Sequence, residues 1–326
     1  MKVSVIGMGS FGTTIAQLIS NNAEDVMLFG RNIETINSIN KGHHNNIYHP
    51  LIRLNSNIKA YSIFTDRKMI GEADLVAFCV PSGAVRDTAR CLNPYLKNNI
   101  IISTAKGIEY PSLNFMTQII REETANDNVF SLSGPTFSDE MIRKAISGIT
   151  LGINNNKYKK DIFDALKATN LLIDCTKDVN GVELCGVLKN VYAVAMGIVD
   201  SYFYAYNEHY VFLNLCFKEM NHILINRGHH NILDKFCAFG DFNLTTNADK
   251  SRNRTLGLMI GKNISLNIAQ STVTFESSKS IKAIKHMSEI YDLDTPIINF
   301  VDSAFNAPEA VRNQIGLLIK AMNYDA

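Results

Sequence analysis

Val3-Ser4-Val5-Ile6-Gly7-Met8-Gly9-Ser10-Phe11-Gly12-Thr13-Thr14-Ile15-Ala16-Gln17-Leu18-Ile19 sets an apolar run, a glycine turn and a helical pattern in immediate succession. A strand, a tight turn and a helix in that order are what a dinucleotide pyrophosphate requires. In such a turn Gly7 permits the sharp change of direction, Gly9 lets the backbone approach the phosphates, and Gly12 lets the helix pack closely on the strand. The helix N-terminus then offers N–H groups and partial positive charge to the pyrophosphate. Glycines at this spacing also occur in ordinary turns, so the strand before and the helix after carry the reading.

Further apolar runs at residues 26–29, 58–61, 75–80, 100–103 and 129–132 alternate with helical patterns at 32–40, 85–96 and 113–123. Alternation at this pitch predicts a mostly parallel sheet covered on both faces, the α/β architecture of a Rossmann-type domain. Ligands of such sheets lie beyond the C-terminal strand ends, which singles out the turns at 7–12, 30–31, 80–82 and 104–107. From about Val179 strand signals nearly vanish and helix-period stretches follow at 182–199, 210–227, 277–291 and 308–322. The expected organisation is a dinucleotide-binding domain over 1–178 and an all-α substrate and catalytic domain over 179–326.

The 326 residues, 46% of them hydrophobic, are enough for two such cores. With 32 basic against 31 acidic side chains the net charge is +1. Nothing in that balance favours nucleic acid or an anionic membrane, so any substrate charge must be met locally. No signal segment is expected, since Lys2 leads straight into the first strand, and no apolar run is expected to reach the length of a membrane span. The six cysteines show neither Cys-x-x-Cys pairs nor zinc spacing, so no metal site is expected and they read as buried thiols of a reducing, cytoplasmic protein. The pairs His43-His44 and His229-His230 read as surface loops.

Four positions invite chemistry. Where an NAD-specific site places an acidic residue after the second strand, this chain has Arg31, which suits a ribose phosphate and favours NADP(H), with NAD(H) possible; a solvated surface arginine is the plain alternative. Lys106 stands in a strand-end loop, the usual place for an anion or carbonyl contact. Lys189 lies in a helical stretch with Cys185, Gly186, Asn190 and Ala193 at helical spacing, a narrow stripe that would admit a ligand or another helix. Desolvation and a second cation such as Lys106 would lower its pKa and make it a usable acid or base; a snorkelling structural lysine is the alternative. Asp241, Thr245 and Thr246, followed by Ser251-Arg252-Asn253-Arg254, would suit a phosphorylated polyol, or equally an ordinary loop and helix cap.

Taken together these residues resemble the bacterial-type NAD(P)-dependent sn-glycerol-3-phosphate dehydrogenases. The likeness runs nearly the whole chain, through the glycine turn, Asn45-Asn46-Ile47-Tyr48, Val80-Pro81-Ser82, Lys106-Gly107-Ile108-Glu109, Ser133-Gly134-Pro135-Thr136-Phe137, Gly181-Val182-Glu183-Leu184, Leu188-Lys189-Asn190-Val191, Gly240-Asp241 and Ser251-Arg252-Asn253-Arg254. The resemblance implies Lys189 as proton acceptor, supported by Lys106 and Asp241. It implies Lys106, Gly134, Thr136, Lys189, Asp241, Ser251, Arg252 and Asn253 as substrate contacts, and Ser10, Phe11, Arg31, Tyr48, Lys106, Ser138 and Arg252 as cofactor contacts. Thr274 and Glu276 are weaker cofactor matches, because the family's Val-Val-Glu-Gly reads Thr274-Phe275-Glu276-Ser277 here. The implied activity is reduction of dihydroxyacetone phosphate for glycerophospholipid synthesis by a cytoplasmic homodimer.

The chain departs from the family at 200–212, where glycine and small residues give way to Tyr202, Phe203, Tyr204, Tyr206, Tyr210 and Phe212. His49 replaces a leucine before proline, and Cys185 replaces a glycine near Lys189. These changes put the substrate in question and leave two other readings: a relative acting on another small phosphorylated ketone, or a hydroxy-acid dehydrogenase of similar architecture. A purely sensing protein would have no reason to keep Lys106, Lys189 and Asp241 together.

Overall fold

Alternate residues of the first strand go to opposite faces of a sheet, Val3 and Val5 into one buried cluster and Ile6 into another, because side chains on a strand alternate with period two. The computed structural model describes residues 1–264 and 272–324, the side chains of 272–276 and 321–324 excepted. Its sheet holds β1 (Lys2–Ile6), β2 (Asp25–Gly30), β3 (Ile58–Ser62), β4 (Leu75–Phe78), β5 (Ile100–Ser103), β6 (Val129–Ser133), β7 (Ser147–Gly152) and β8 (Leu171–Thr176) in the order β3-β2-β1-β4-β5-β6-β7-β8. All neighbours run parallel except β6 and β7. The helices of this part are α1 (Ser10–Ile19), α2 (Ile33–Gly42), α3 (Val85–Leu92), α4 (Met116–Thr124), α5 (Ser138–Met141) and α6 (Lys159–Leu166). Apolar clusters cover both faces, Ile15, Ile19 and Leu28 in one and Phe29, Phe78 and Ile120 in the other. The predicted α/β domain with a mostly parallel sheet is the fold observed.

Two strands escaped the sequence reading. Glycines interrupt the apolar run of β7, Ser-Gly-Ile-Thr-Leu-Gly, and β8 is an edge strand with Leu171 alone fully buried.

The chain divides into two compact units, Met1–Lys106 with Phe115–Val182, and Gly107–Asn114 with Glu183–Ala326. The expected division at 178/179 falls four residues before that boundary and does not separate out 107–114. Helices make up the second part: α7 (Val179–Asp200), which begins in the first unit, then α8 (Tyr206–Asn226), α9 (Asp241–Asn247), α10 (Arg252–Gly261), α11 (Thr272–Ile290), α12 (Pro296–Asn306) and α13 (Val311–Tyr324).

One expectation needs correction. The 22 residues of α7 are long and apolar enough to cross a membrane by length and composition, but 94% of the qualifying window is buried inside the fold. That stretch is apolar all round because neighbours surround it.

Between α7 and α10 the backbones approach so closely that a Cβ on Gly197 would run into the carbonyl oxygen of Arg254, and one on Gly257 into that of Val194. Gly197→Ala is therefore expected to destabilise the second unit by about 1–3 kcal/mol through overpacking. A guanidinium denaturation curve with an unchanged midpoint would contradict this.

Candidate active site

Gly7 sits at φ +112°, a left-handed conformation open to glycine, and a Cβ there or on Gly12 would strike Cys79 or the Gly7 carbonyl. A Cβ on Gly9, by contrast, would meet nothing within 4 Å. The turn is thus tight on its inner side and open where a pyrophosphate would approach. Gly9 is also the N-cap of α1 and brings no side-chain oxygen to the first-turn N–H groups, so a bound anion can take them. These residues fit a dinucleotide.

Asn45 fixes that turn from outside. Its Nδ2 donates to the Met8 carbonyl at 3.1 Å and to Thr13 Oγ1 at 2.7 Å, while its Oδ1 accepts from the backbone N–H groups of Ile47 and Tyr48. This loop leaves Tyr48 half exposed. Ser10 and Ser138 meet, with hydroxyl oxygens 2.8 Å apart. Phe11 packs against the core beneath the sheet, and Arg31 is exposed directly after β2.

Lys106 follows β5 by three residues. Its Nζ donates to the Gly134 carbonyl at 3.4 Å, and Thr136 Oγ1 donates to the same oxygen at 3.1 Å. The fold therefore brings Lys106, Gly134 and Thr136 together from two strand ends.

In the second unit Lys189 is buried on α7. Its Nζ donates to Asp241 Oδ1 in an ion pair and to Thr245 Oγ1 at 2.8 Å. Asp241 and Thr245 lie four residues apart on α9 and so share one helical face. The charged partner of Lys189 is thus a buried carboxylate, that of Asp241, which the resemblance sets beside it together with Lys106. The next residue, Asn190, accepts from Asn253 Nδ2 at 2.9 Å, and Ser277 Oγ donates to Asn253 Oδ1 at 2.7 Å. Asn253, on α10, is held from both sides, and its partner Asn190 is one residue along α7 from the lysine.

Ser251 is the N-cap of α10, accepting from the Arg254 N–H at 3.3 Å. The two arginines of the cluster separate. Arg254 turns back to Asp200 at 2.8 Å and Asp249 at 2.9 Å, where it anchors the helix start. Arg252 is exposed on the first turn, free to meet an anion at a helix N-terminus. Thr274 and Glu276 fall on α11 with side chains outside the described residues. The sequence reading missed Thr245 as a partner of Lys189, although its i+4 spacing from Asp241 was available. It marked His49 only as a departure from the family, and it missed the buried Glu219, which no local pattern marks.

A model of the NAD-dependent glycerol-3-phosphate dehydrogenase N-terminus matches residues 2–159, and one of the corresponding C-terminus matches residues 178–315. The chain belongs to the NAD-dependent glycerol-3-phosphate dehydrogenase family. A relative named glycerol-3-phosphate dehydrogenase [NAD(P)+] from Methanothermobacter thermautotrophicus is 47% identical over 311 residues, 95% of each chain. Another of that name from Acinetobacter baumannii is 32% identical over 302 residues, 92% of this chain and 84% of the relative. A solved glycerol-3-phosphate dehydrogenase from Coxiella burnetii shares the fold, with a TM-score of 0.88 at 22% identity and 98% of each chain covered. Membership makes this chain an NAD(P)-dependent oxidoreductase, in agreement with the glycine turn and the α/β fold.

Proposed function

We propose that the chain interconverts dihydroxyacetone phosphate and sn-glycerol 3-phosphate for glycerophospholipid synthesis in the cytoplasm. The observation that carries this is the buried Lys189–Asp241–Thr245 cluster beside the anchored Asn190–Asn253 pair. When bound, the nicotinamide supplies or takes up the hydride. In reduction, negative charge develops on the central oxygen of the substrate, and the Lys189 ammonium stabilises it and donates its proton. In oxidation Lys189 takes that proton back. Asp241 and Thr245 hold Nζ in one place, so little reorganisation accompanies the transfer. Lys106, set among Gly134 and Thr136, adds positive field. Arg252 and Asn253, with the capped first turn of α10, anchor the phosphate.

The decisive assay follows nicotinamide absorbance with dihydroxyacetone phosphate and each reduced cofactor. No turnover with either, in folded protein that binds NADPH, would point to another phosphorylated ketone. The aromatic stretch argues against that outcome, because Tyr204, Tyr206 and Tyr210 are all exposed in the second unit. They serve better as contacts in a homodimer, where tyrosine is enriched, and light scattering at assay concentration checks this.

NADP(H) is the favoured cofactor on the strength of exposed Arg31 at the end of β2. Arg31→Asp is expected to weaken NADPH far more than NADH, since the new carboxylate repels a ribose phosphate and accepts from free ribose hydroxyls. Equal loss of both would return Arg31 to a structural part.

A further inference from the structure

His49 is 5% exposed, and its Nε2 faces four oxygens. They are the Ser10 carbonyl at 3.0 Å, Ser10 Oγ at 3.2 Å, and Thr14 Oγ1 and Ser138 Oγ at 3.4 Å each. A carbonyl oxygen can only accept, so Nε2 carries the ring proton and donates toward Ser10. The three hydroxyls are coupled, since Ser138 Oγ lies 2.8 Å from both Ser10 Oγ and Thr14 Oγ1. Thr14 spends its hydrogen on a backbone oxygen, that of Ser10 at 3.0 Å or Ser138 at 3.3 Å. Thr14 Oγ1 therefore accepts from Ser138, which leaves Ser138 with no hydrogen to give Ser10. The 2.8 Å contact between Ser10 Oγ and Ser138 Oγ then takes its hydrogen from Ser10, so the hydroxyls donate in one direction, Ser10 to Ser138 to Thr14, while the His49 N–H falls on the carbonyl of Ser10. The loop that holds the imidazole is fixed by the His49 N–H to Asn45 carbonyl bond at 2.9 Å, and Asn45 also clasps the glycine turn.

We propose that His49 is a positioning residue for nucleotide binding: its Nε2–H, held on the Ser10 carbonyl, fixes the first turn of α1 and the direction of the hydroxyl chain beside it, and so aims the free N–H groups of that turn at the pyrophosphate. The leucine of the resembled family has no N–H with which to do this. The inference rests on the nucleotide-site reading and adds a residue to it.

The test is direct titration of the full-length protein with NADPH, read by its fluorescence. His49→Leu is expected to raise Kd about tenfold, the scale of one lost buried hydrogen bond. His49→Gln, whose amide N–H extends to the position of Nε2, is expected to stay within about twofold of the native value. His49→Asn, whose amide stops at the position of Nδ1, should weaken binding as leucine does and stands in for leucine if that variant does not fold. Native affinity in the leucine or asparagine variant, or equal weakening by glutamine and asparagine, overturns the proposal. Failure of the unaltered protein to bind NADPH overturns the nucleotide-site reading itself, and this one with it.

Discussion

Lys189→Ala is expected to lower turnover of dihydroxyacetone phosphate by a factor of about a hundred to ten thousand, the range for loss of a positioned proton donor. Cofactor binding should persist, because the glycine turn, Ser10, Ser138 and Arg31 all belong to the first unit. A second effect has to be separated from the first. Removing the ammonium leaves Asp241, 1% exposed, without its ion-pair partner, and breaking a buried pair from one side costs roughly 3–5 kcal/mol. Pairing Lys189→Ala with Asp241→Asn removes the stranded charge as well. The double variant should therefore regain part of the lost stability while turnover stays low. If either variant turned over at the native rate in stopped-flow or steady-state assays, Lys189 would have no place in proton transfer.

How much of this was legible in the sequence depends on the range of the interactions involved. The glycine turn is read locally, because its spacing sets Gly12 against the Gly7 carbonyl, although the backbone that bars a Cβ on Gly7 belongs to Cys79 beyond β4. Parallel strands buried on both faces announce themselves as apolar runs, and β5 was bounded to the residue. β7 was lost because its glycines dilute the pattern, and α12 because Pro296 reads as a break although it stands in the first turn of a helix. Asp241 could be set beside Lys189, 52 residues away, only through the resemblance; tertiary packing alone brings their faces together. His49 looked like a mere departure from the family until its four oxygen neighbours, from α1 and α5, were in view. Local patterns thus record backbone requirements, whereas the partners of a buried polar side chain come from other elements and leave no trace near it.

Glu219 is the sharpest case of such a side chain. It sits on α8, 7% exposed, and its carboxylate accepts from the backbone N–H groups of Ile297 at 2.7 Å and Ile298 at 3.1 Å, and from the Tyr192 hydroxyl at 3.2 Å. It therefore caps the N-terminus of α12 from a different helix, in place of a local cap, for Thr295 makes no side-chain cap bond. Burial penalises the charged form, while the two backbone donors favour it. Burial wins, pushing the carboxyl from its ordinary 4.5 up to about 7. The same burial, aided by the Glu219 charge, holds the Tyr192 phenol and the Cys216 thiol well above their usual ranges. Between pH 4.5 and about 7 the folded chain keeps a proton on Glu219 that the unfolded chain has released. Stability contributed by this group is complete below that window and is lost as pH rises through it, by about 3 kcal/mol on the order of 1.4 kcal/mol per pH unit. Glu219→Gln keeps an acceptor for Ile297 and Ile298 but cannot titrate, so its contribution to the slope should vanish between pH 5 and 7. Glu219→Ala instead strands both N–H groups and should be less stable at every pH, by roughly 2–4 kcal/mol. Urea unfolding of the three proteins across pH 5 to 8 decides the matter: a glutamine variant with the native pH slope would show that Glu219 is already ionised throughout and that the two helix N–H groups outweigh its burial.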